Sequence, residues 1–118
     1  MTTLTVTLPY PPSVDHYYGH TRTGRVYVKP AGVSYKQIVK ALWHAQGKPR
    51  VPGRLAVLAL VYPPDRRVRD LDNLGKALLD ALKAGFIRDD GDIDDLRYTR
   101  CEVRKGGLVV VTISSLTA

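Results

Sequence analysis

The stretch Arg66-Arg67-Val68-Arg69-Asp70-Leu71-Asp72 sets three arginines directly before two aspartates, and a second acidic stretch, Asp89-Asp90-Gly91-Asp92-Ile93-Asp94-Asp95, follows further on. These residue types suit metal-dependent phosphodiester chemistry. Guanidinium groups hold a polyanion, and carboxylate oxygens hold a hard divalent cation. Asp70 and Asp72 are two residues apart, so inside a helix they would stand about 200° apart, on different faces. They converge only if Asp70 lies at or just before the N-cap, where the backbone is still extended. The apolar stripe begins at Leu71, which fits that placement. A helix N-terminus favours carboxylate over carboxylic acid, which suits metal binding. Lys76 stands one turn beyond Asp72 on the same face, within reach of a phosphate or a nucleophile.

The same residues have a structural reading. Asp70 can simply cap a helix, and Asp72, Lys76 and Asp80 can form an exposed ion-pair ladder. A helix of about four turns separates Asp72 from Asp89, and spacing alone does not show the chain folding back. Asp90, Asp92 and Asp94 imitate the start of a calcium-binding EF-hand loop. That loop is excluded, because Asp95 stands where glycine is needed and Cys101 where a bidentate Glu is needed. His16, His20 and His44 lack a clustered third ligand for zinc. No Ser-His-Asp arrangement is found.

The elements that must position these groups belong to one short chain. Its 118 residues favour one domain with one core, residues 1–118. No apolar run reaches membrane-span length. The N-terminus alternates polar and apolar residues and predicts a strand, not a signal peptide. The single cysteine, Cys101, excludes an internal disulfide, and a cytoplasmic location is expected. Net charge is +7, unevenly spread. Residues 1–64 hold eight Lys/Arg against one acid, Asp15, whereas residues 65–95 hold six Lys/Arg against nine Asp. A basic body with its acid in one segment points to nucleic acid as partner.

Thr3 to Leu8 predicts a half-buried strand that Pro9-Tyr10-Pro11-Pro12 ends. The segment to Lys29 interleaves Tyr17, Tyr18 and Tyr27 with Arg22, Arg25 and Lys29. Such a mixture suits base stacking and phosphate pairing, or else the tyrosines pack the loop onto the core. Arg25 to Val28 is a possible short strand. Pro30 to Gln46 predicts a helix with the stripe Tyr35, Ile38, Leu42, Ala45, and with Gly47 as its cap. Leu55 to Tyr62 predicts a central strand covered on both faces. A second helix is expected from Leu71 to Ala84, with Leu71, Leu74, Leu78 and Leu82 inward and Gly85 as cap. Leu96 to Arg104 and Leu108 to Ser115 read as strands joined by a tight hairpin at Lys105-Gly106-Gly107. The fold class is α+β, order β-(β)-α-β-α-β-β, a mixed or antiparallel sheet covered by two helices.

The sequence resembles the RusA family of Holliday junction resolvases, small endodeoxyribonucleases common in phages and prophages. The matching residues are Pro63-Pro64-Asp65-Arg66-Arg67, Arg69-Asp70-Leu71-Asp72-Asn73-Leu74, Lys76-Ala77, Leu79-Asp80-Ala81-Leu82, Ala84-Gly85 and Asp89-Asp90. Upstream they include Leu8-Pro9-Tyr10-Pro11-Pro12-Ser13 and Tyr17-Tyr18, and downstream Lys105-Gly106-Gly107. The resemblance implies catalytic, metal-binding carboxylates at Asp70, Asp72 and Asp90, with Lys76 in support and Mg²⁺ or Mn²⁺ as cofactor. It implies a homodimer that cuts four-way junction DNA in paired symmetric nicks. Arg66, Arg67 and Arg69 are expected to hold phosphates beside the cut. Arg22, Arg25, Lys29, Tyr17 and Tyr18 are expected to add DNA contacts. Two rival functions remain, a non-catalytic DNA-binding regulator of the same fold and a ribonuclease or flap nuclease using the same carboxylates. Candidate dimer surfaces are the C-terminal strand and the helix around Trp43.

Overall fold

The computed structural model describes residues 2–13 and 17–116. Asp15 and His16, mentioned above, lie outside them. The chain is α+β. A four-stranded mixed sheet is formed by β1 (Thr3–Pro9), β4 (Leu55–Tyr62), β5 (Ile93–Arg100) and β6 (Leu108–Ser115). Two short strands, β2 (Tyr18–His20) and β3 (Val26–Val28), pair as a separate antiparallel hairpin. The helices are α1 (Pro30–Ala45) and α2 (Gly75–Leu82). No helix among the described residues is long and apolar enough to cross a membrane.

The spatial order is β1-β6-β4-β5. β6 runs antiparallel to both neighbours, and β5 lies parallel to β4. This corrects the expected hairpin. Gly106 and Gly107 do make a turn with positive φ, but β5 and β6 are not neighbours, because β4 runs between them. An eight-residue apolar strand gains most when both its edges are hydrogen-bonded, and β4 occupies the centre for that reason. β5 also starts earlier than expected, at Ile93.

Alternation divides the sheet. Leu55, Val57, Ala59 and Val61 of β4, Val109, Val111 and Ile113 of β6, and Val6 and Leu8 of β1 are buried on one face. They share a core with Leu74 just before α2, with Leu78, Leu82, Phe86 and Ile87 from α2 and the turn after it, and with Tyr35 and Val39 from α1. The opposite residues, Ala56, Leu58, Leu60 and Tyr62, are only half-buried. Within this chain β4 is therefore covered on one face, not on both.

The buried stripe of α1 is Gly32, Tyr35 and Val39, and Ile38 stands outside it, 46% exposed. Gly47 caps the helix end with φ 87°, as expected. Gly85 is not a left-handed cap. It is small because Trp43 lies on it, and a Cβ there would sit 2.5 Å from the indole. Trp43 also donates to the Pro49 carbonyl and lies under Arg50, a core-edge role.

Candidate active site

Pro63 and Pro64 end β4, since neither can extend a ladder, and the chain enters the Arg66–Asp70 loop. Asp65 organises that loop. Its carboxylate accepts the backbone N–H of Arg67 at 2.9 Å and takes Arg69 Nη1 at 2.7 Å. Arg69 Nη1 also reaches the carbonyls of Asp65 and Arg67, and the guanidinium lies 6.0 Å from the Tyr10 ring. Arg100 donates to the Arg69 carbonyl from the end of β5. The hydrogen bonds from Arg69 and from the Arg67 backbone hold the Asp65 carboxyl down at about 2. Arg66 and Arg67 remain exposed, and Val68 at the tip is 94% exposed.

Asp70 is extended, with φ −84° and ψ 139°, and precedes a single 3-10 turn, Leu71–Leu74, that leads into α2. The expected placement at the N-cap is thus the observed one, although a 3-10 turn replaces the first turn of α-helix. Asp72 and Asn73 are weak helix formers. Gly75 then brings the helix start against Tyr98 of β5, where a Cβ would meet the phenol oxygen at 2.8 Å. Asp70 makes no side-chain cap bond. Asp70 and Asp72 are both exposed, and among the described residues neither side chain has a hydrogen bond or an ion pair. Asp70 borders an open cleft of about 380 Å³ that Tyr10, Arg67, Arg69 and Arg100 also line.

Lys76 and Asp80 form the i,i+4 pair of the proposed ladder, 3.1 Å apart, but Asp72 does not join it and Asp80 is not exposed. Asp80 accepts the phenol of Tyr17 at 2.7 Å and has Lys83 at 3.8 Å. Partial burial works against its ionised form, but hydrogen bonds from Tyr17 and Lys76 outweigh it, with the fields of Lys76 and Lys36, and its pKa is lowered. The Lys76 pKa is raised, chiefly by the hydrogen bond to Asp80, so the amine stays an ammonium at neutral pH.

The chain does fold back. A turn over Asp90–Asp92 leads into β5, and Asp90 lies 3.7 Å from Lys83 and close enough to act on Lys76. Three of its acidic neighbours, Asp92, Asp94 and Asp95, are held by arginines. Arg88 grips Asp92 with two bonds, at 2.6 and 3.1 Å. Arg54 takes Asp94 and the Gly91 carbonyl, and Arg97 takes Asp95. Among the described residues no group of three His, Cys, Asp or Glu side chains is gathered for a metal. Asp70 and Asp72 sit at one end of α2, and Asp90 lies along its side. The donor chemistry suits a hard cation: carboxylates, of which those of Asp70 and Asp72 have no competing partner among the described residues. Mg²⁺ usually takes only one or two carboxylates and completes its shell with water and substrate phosphate.

The segment before α1 separates into two kinds of residue. Tyr17 is fully buried with its hydroxyl bound to Asp80, so it has no face for a base. For this residue packing onto the core is the observed outcome, and the expected DNA contact is withdrawn. Tyr18 stacks edge-on against Tyr17 and stays partly exposed. Arg22 and Arg25 are exposed around the β2–β3 hairpin, whose Tyr27 is 46% exposed, and Lys29 is half-buried ahead of α1. Sequence reasoning passed over Arg100, Lys83 and Tyr10 as parts of the site. Arg100 and Tyr10 lie far along the chain from Arg69, which they meet, whereas Lys83 is only three residues from Asp80, a local helical spacing.

The chain matches the family model described as endodeoxyribonuclease RusA over residues 9–114. It is 40% identical to a crossover junction endodeoxyribonuclease RusA of Escherichia coli (strain K12) over 118 residues, 98% of each chain. It is 39% identical to the proteins of that name from Shigella sonnei (strain Ss046) and from Enterobacteria phage 82, again over 98% of each chain.

Proposed function

Because this chain belongs to the RusA family of endodeoxyribonucleases, we propose that it hydrolyses backbone phosphodiesters of four-way DNA junctions with Asp70, Asp72 and Asp90 as its acidic centre. The observation that carries the assignment of residues is that Asp70 and Asp72 have no partner among the described residues while standing beside an arginine loop. An exposed carboxylate pair beside cations would ordinarily be drawn into ion pairs. Here Asp65 engages Arg69 and Arg67, which leaves Asp70 and Asp72 open to a ligand.

Asp70, Asp72 and Asp90 would hold a Mg²⁺ or Mn²⁺ ion. Bound there, such an ion offers Lewis acidity toward the phosphate and makes water a better nucleophile. The hydrogen bond to Asp80 favours the ammonium form of Lys76, which suits it to stabilise negative charge on the phosphate. Arg66 and Arg67 hold the flanking backbone, and Arg69 shapes their loop from beneath. Arg22, Arg25, Lys29 and Tyr18 extend the contact along an arm, which suits a single domain with a cytoplasmic DNA substrate.

A four-way junction has two-fold symmetry, and two related cuts need two sites in fixed orientation, hence a C2 homodimer. The half-buried sheet face with Leu58, Leu60 and Tyr62 supplies an apolar surface. Sedimentation equilibrium at micromolar protein should give twice the chain mass. A monomer that resolves junctions completely sinks the paired-site reading.

Incubation with labelled junction, duplex and RNA, with and without Mg²⁺, tests the activity. Symmetric nicks in the junction that need the metal are expected. Binding without any cut would favour the non-catalytic reading, and preferential RNA cleavage the ribonuclease reading.

A further inference from the structure

We infer that Asp80 is a positioning residue that acts through Lys76, holding its ammonium in place beside the acidic centre, with Tyr17 as the buried anchor of Asp80. The inference rests on the role given to Lys76 above.

An exposed i,i+4 pair on a helix would not fix a lysine, and Lys before Asp is the weaker order. This pair differs because Asp80 is itself fixed. Its side chain is 12% exposed, and its two oxygens are divided. Oδ2 accepts the Tyr17 phenol at 2.7 Å, while Oδ1 faces Lys76 at 3.1 Å and Lys83 at 3.8 Å. Tyr17 has no freedom to turn away. Its ring lies so close to Gly32 of α1 that a Cβ there would stand 2.6 Å from it, and its carbonyl accepts the Lys29 N–H at 2.7 Å. The chain of contacts runs from α1 through a buried phenol to a carboxylate oxygen aimed at two lysines. The charged groups around it are Lys76 on α2, Lys83 just past its end, Lys36 on α1 above the Tyr17 ring, and Asp90 beyond Lys83.

A lysine side chain is among the most mobile in a protein. Charge stabilises a transition state best when it is already in place. Asp80 removes that mobility and also engages Lys83, which otherwise has Asp90 as its carboxylate partner.

The test compares wild type, Asp80→Asn, Tyr17→Phe, Lys76→Ala and the Asp80→Asn/Lys76→Ala double variant. It uses single-turnover junction cleavage in Mg²⁺, metal-free junction binding, and NMR of the Lys76 ammonium in the metal-free full chain. Asp80→Asn should slow cleavage by about tenfold and Tyr17→Phe by a smaller factor. The double variant should be no slower than Lys76→Ala, and junction binding should be kept. The ammonium resonance, sharp in wild type, should vanish in Asp80→Asn through exchange with water. Three results overturn the inference: a sharp resonance in Asp80→Asn, a double variant slowed by the product of the singles, or impaired Lys76→Ala beside unimpaired Asp80→Asn. Lys76→Ala cutting at the wild-type rate overturns both this inference and the role of Lys76. Tyr17→Phe keeps the charge of Asp80, so loss of its effect in a Lys76→Ala background gives a second arm if Asp80→Asn does not fold.

Discussion

The two acidic regions differ in what surrounds each carboxylate. In the turn after α2 and the start of β5, Asp92, Asp94 and Asp95 are each taken by an arginine. At the head of α2, Asp70 and Asp72 have no such partner among the described residues, although three arginines precede them in sequence. Asp92, Asp94 and Asp95 of the richer cluster are thus structural, and the candidate site combines the sparser pair with Asp90. Acid count along the chain does not locate chemistry. What locates it is carboxylate whose charge the fold leaves uncompensated, because an added cation gains most where no internal cation competes.

The largest expected effect tests this contrast directly. Asp70→Asn and Asp72→Asn should each cut cleavage by on the order of 10³-fold or more, since a neutral amide is a poor ligand for a hard cation. Metal-free junction binding should hold or tighten, because a negative charge near phosphate has gone. Asp90→Asn should lose cleavage likewise, and Asp89→Asn less. Asp92→Asn should do the opposite. It breaks the two-bonded Arg88 grip, so the melting temperature should fall by on the order of 5 °C while folded protein keeps cutting. If Asp92→Asn abolished cleavage without loss of stability, the division between the two regions would be wrong.

A smaller effect sharpens the contrast among the arginines. Arg67 is 79% exposed on its side chain, and Arg69 is 24% exposed and bonded to its own loop. Arg67→Ala should lower the log-log salt slope of junction binding by about one unit, the signature of one lost phosphate contact. Arg69→Ala should weaken binding by loosening the loop, with a lesser change in slope. Equal slopes for both variants would place Arg69 on the phosphates as well.

Much of this was legible in the residues, and the rest was not, for a common reason. The extended conformation of Asp70 followed from an apolar stripe that starts at Leu71. The strand Leu55–Tyr62 followed from its length and its bounding prolines, and the cap at Gly47 from local chemistry. What escaped was set by contacts between distant segments. Tyr17 and Asp80 are 63 positions apart, so the bond between the buried phenol and that carboxylate had no local signature, although the i,i+4 spacing of Lys76 and Asp80 did. The turn Lys105-Gly106-Gly107 was correctly seen as a turn, yet turn residues do not say which strand lies alongside. The open sheet face was hidden because Leu58 and Leu60 look as apolar as Val57 and Ala59. Only the register shows which of them meet the helices.

The smallest effect compares two aspartates of one loop, Asp65 and Asp70. Hydrogen bonds from Arg69 and from the Arg67 backbone lower the Asp65 carboxyl from its ordinary 3.8 to about 2. A carboxyl lowered in the folded state adds stability that is fully present above its unfolded pKa. That stability is lost as pH falls through the folded value. The Asp65 clasp should therefore be complete from neutral pH down to about 4 and open progressively toward pH 2. The partners are exposed, so salt should screen the pair and move the midpoint back toward the ordinary value. Carboxyl carbon NMR of Asp65 through an acid titration measures this, and Arg69→Ala should return the midpoint most of the way. Cleavage near neutral pH should show no inflection from Asp65. A midpoint already at the ordinary value in wild type would mean that the clasp does not hold in solution. Arg67 and Arg69 would then be free for phosphate or for Asp70, and the contrast between partnered and unpartnered carboxylates within this loop would be lost.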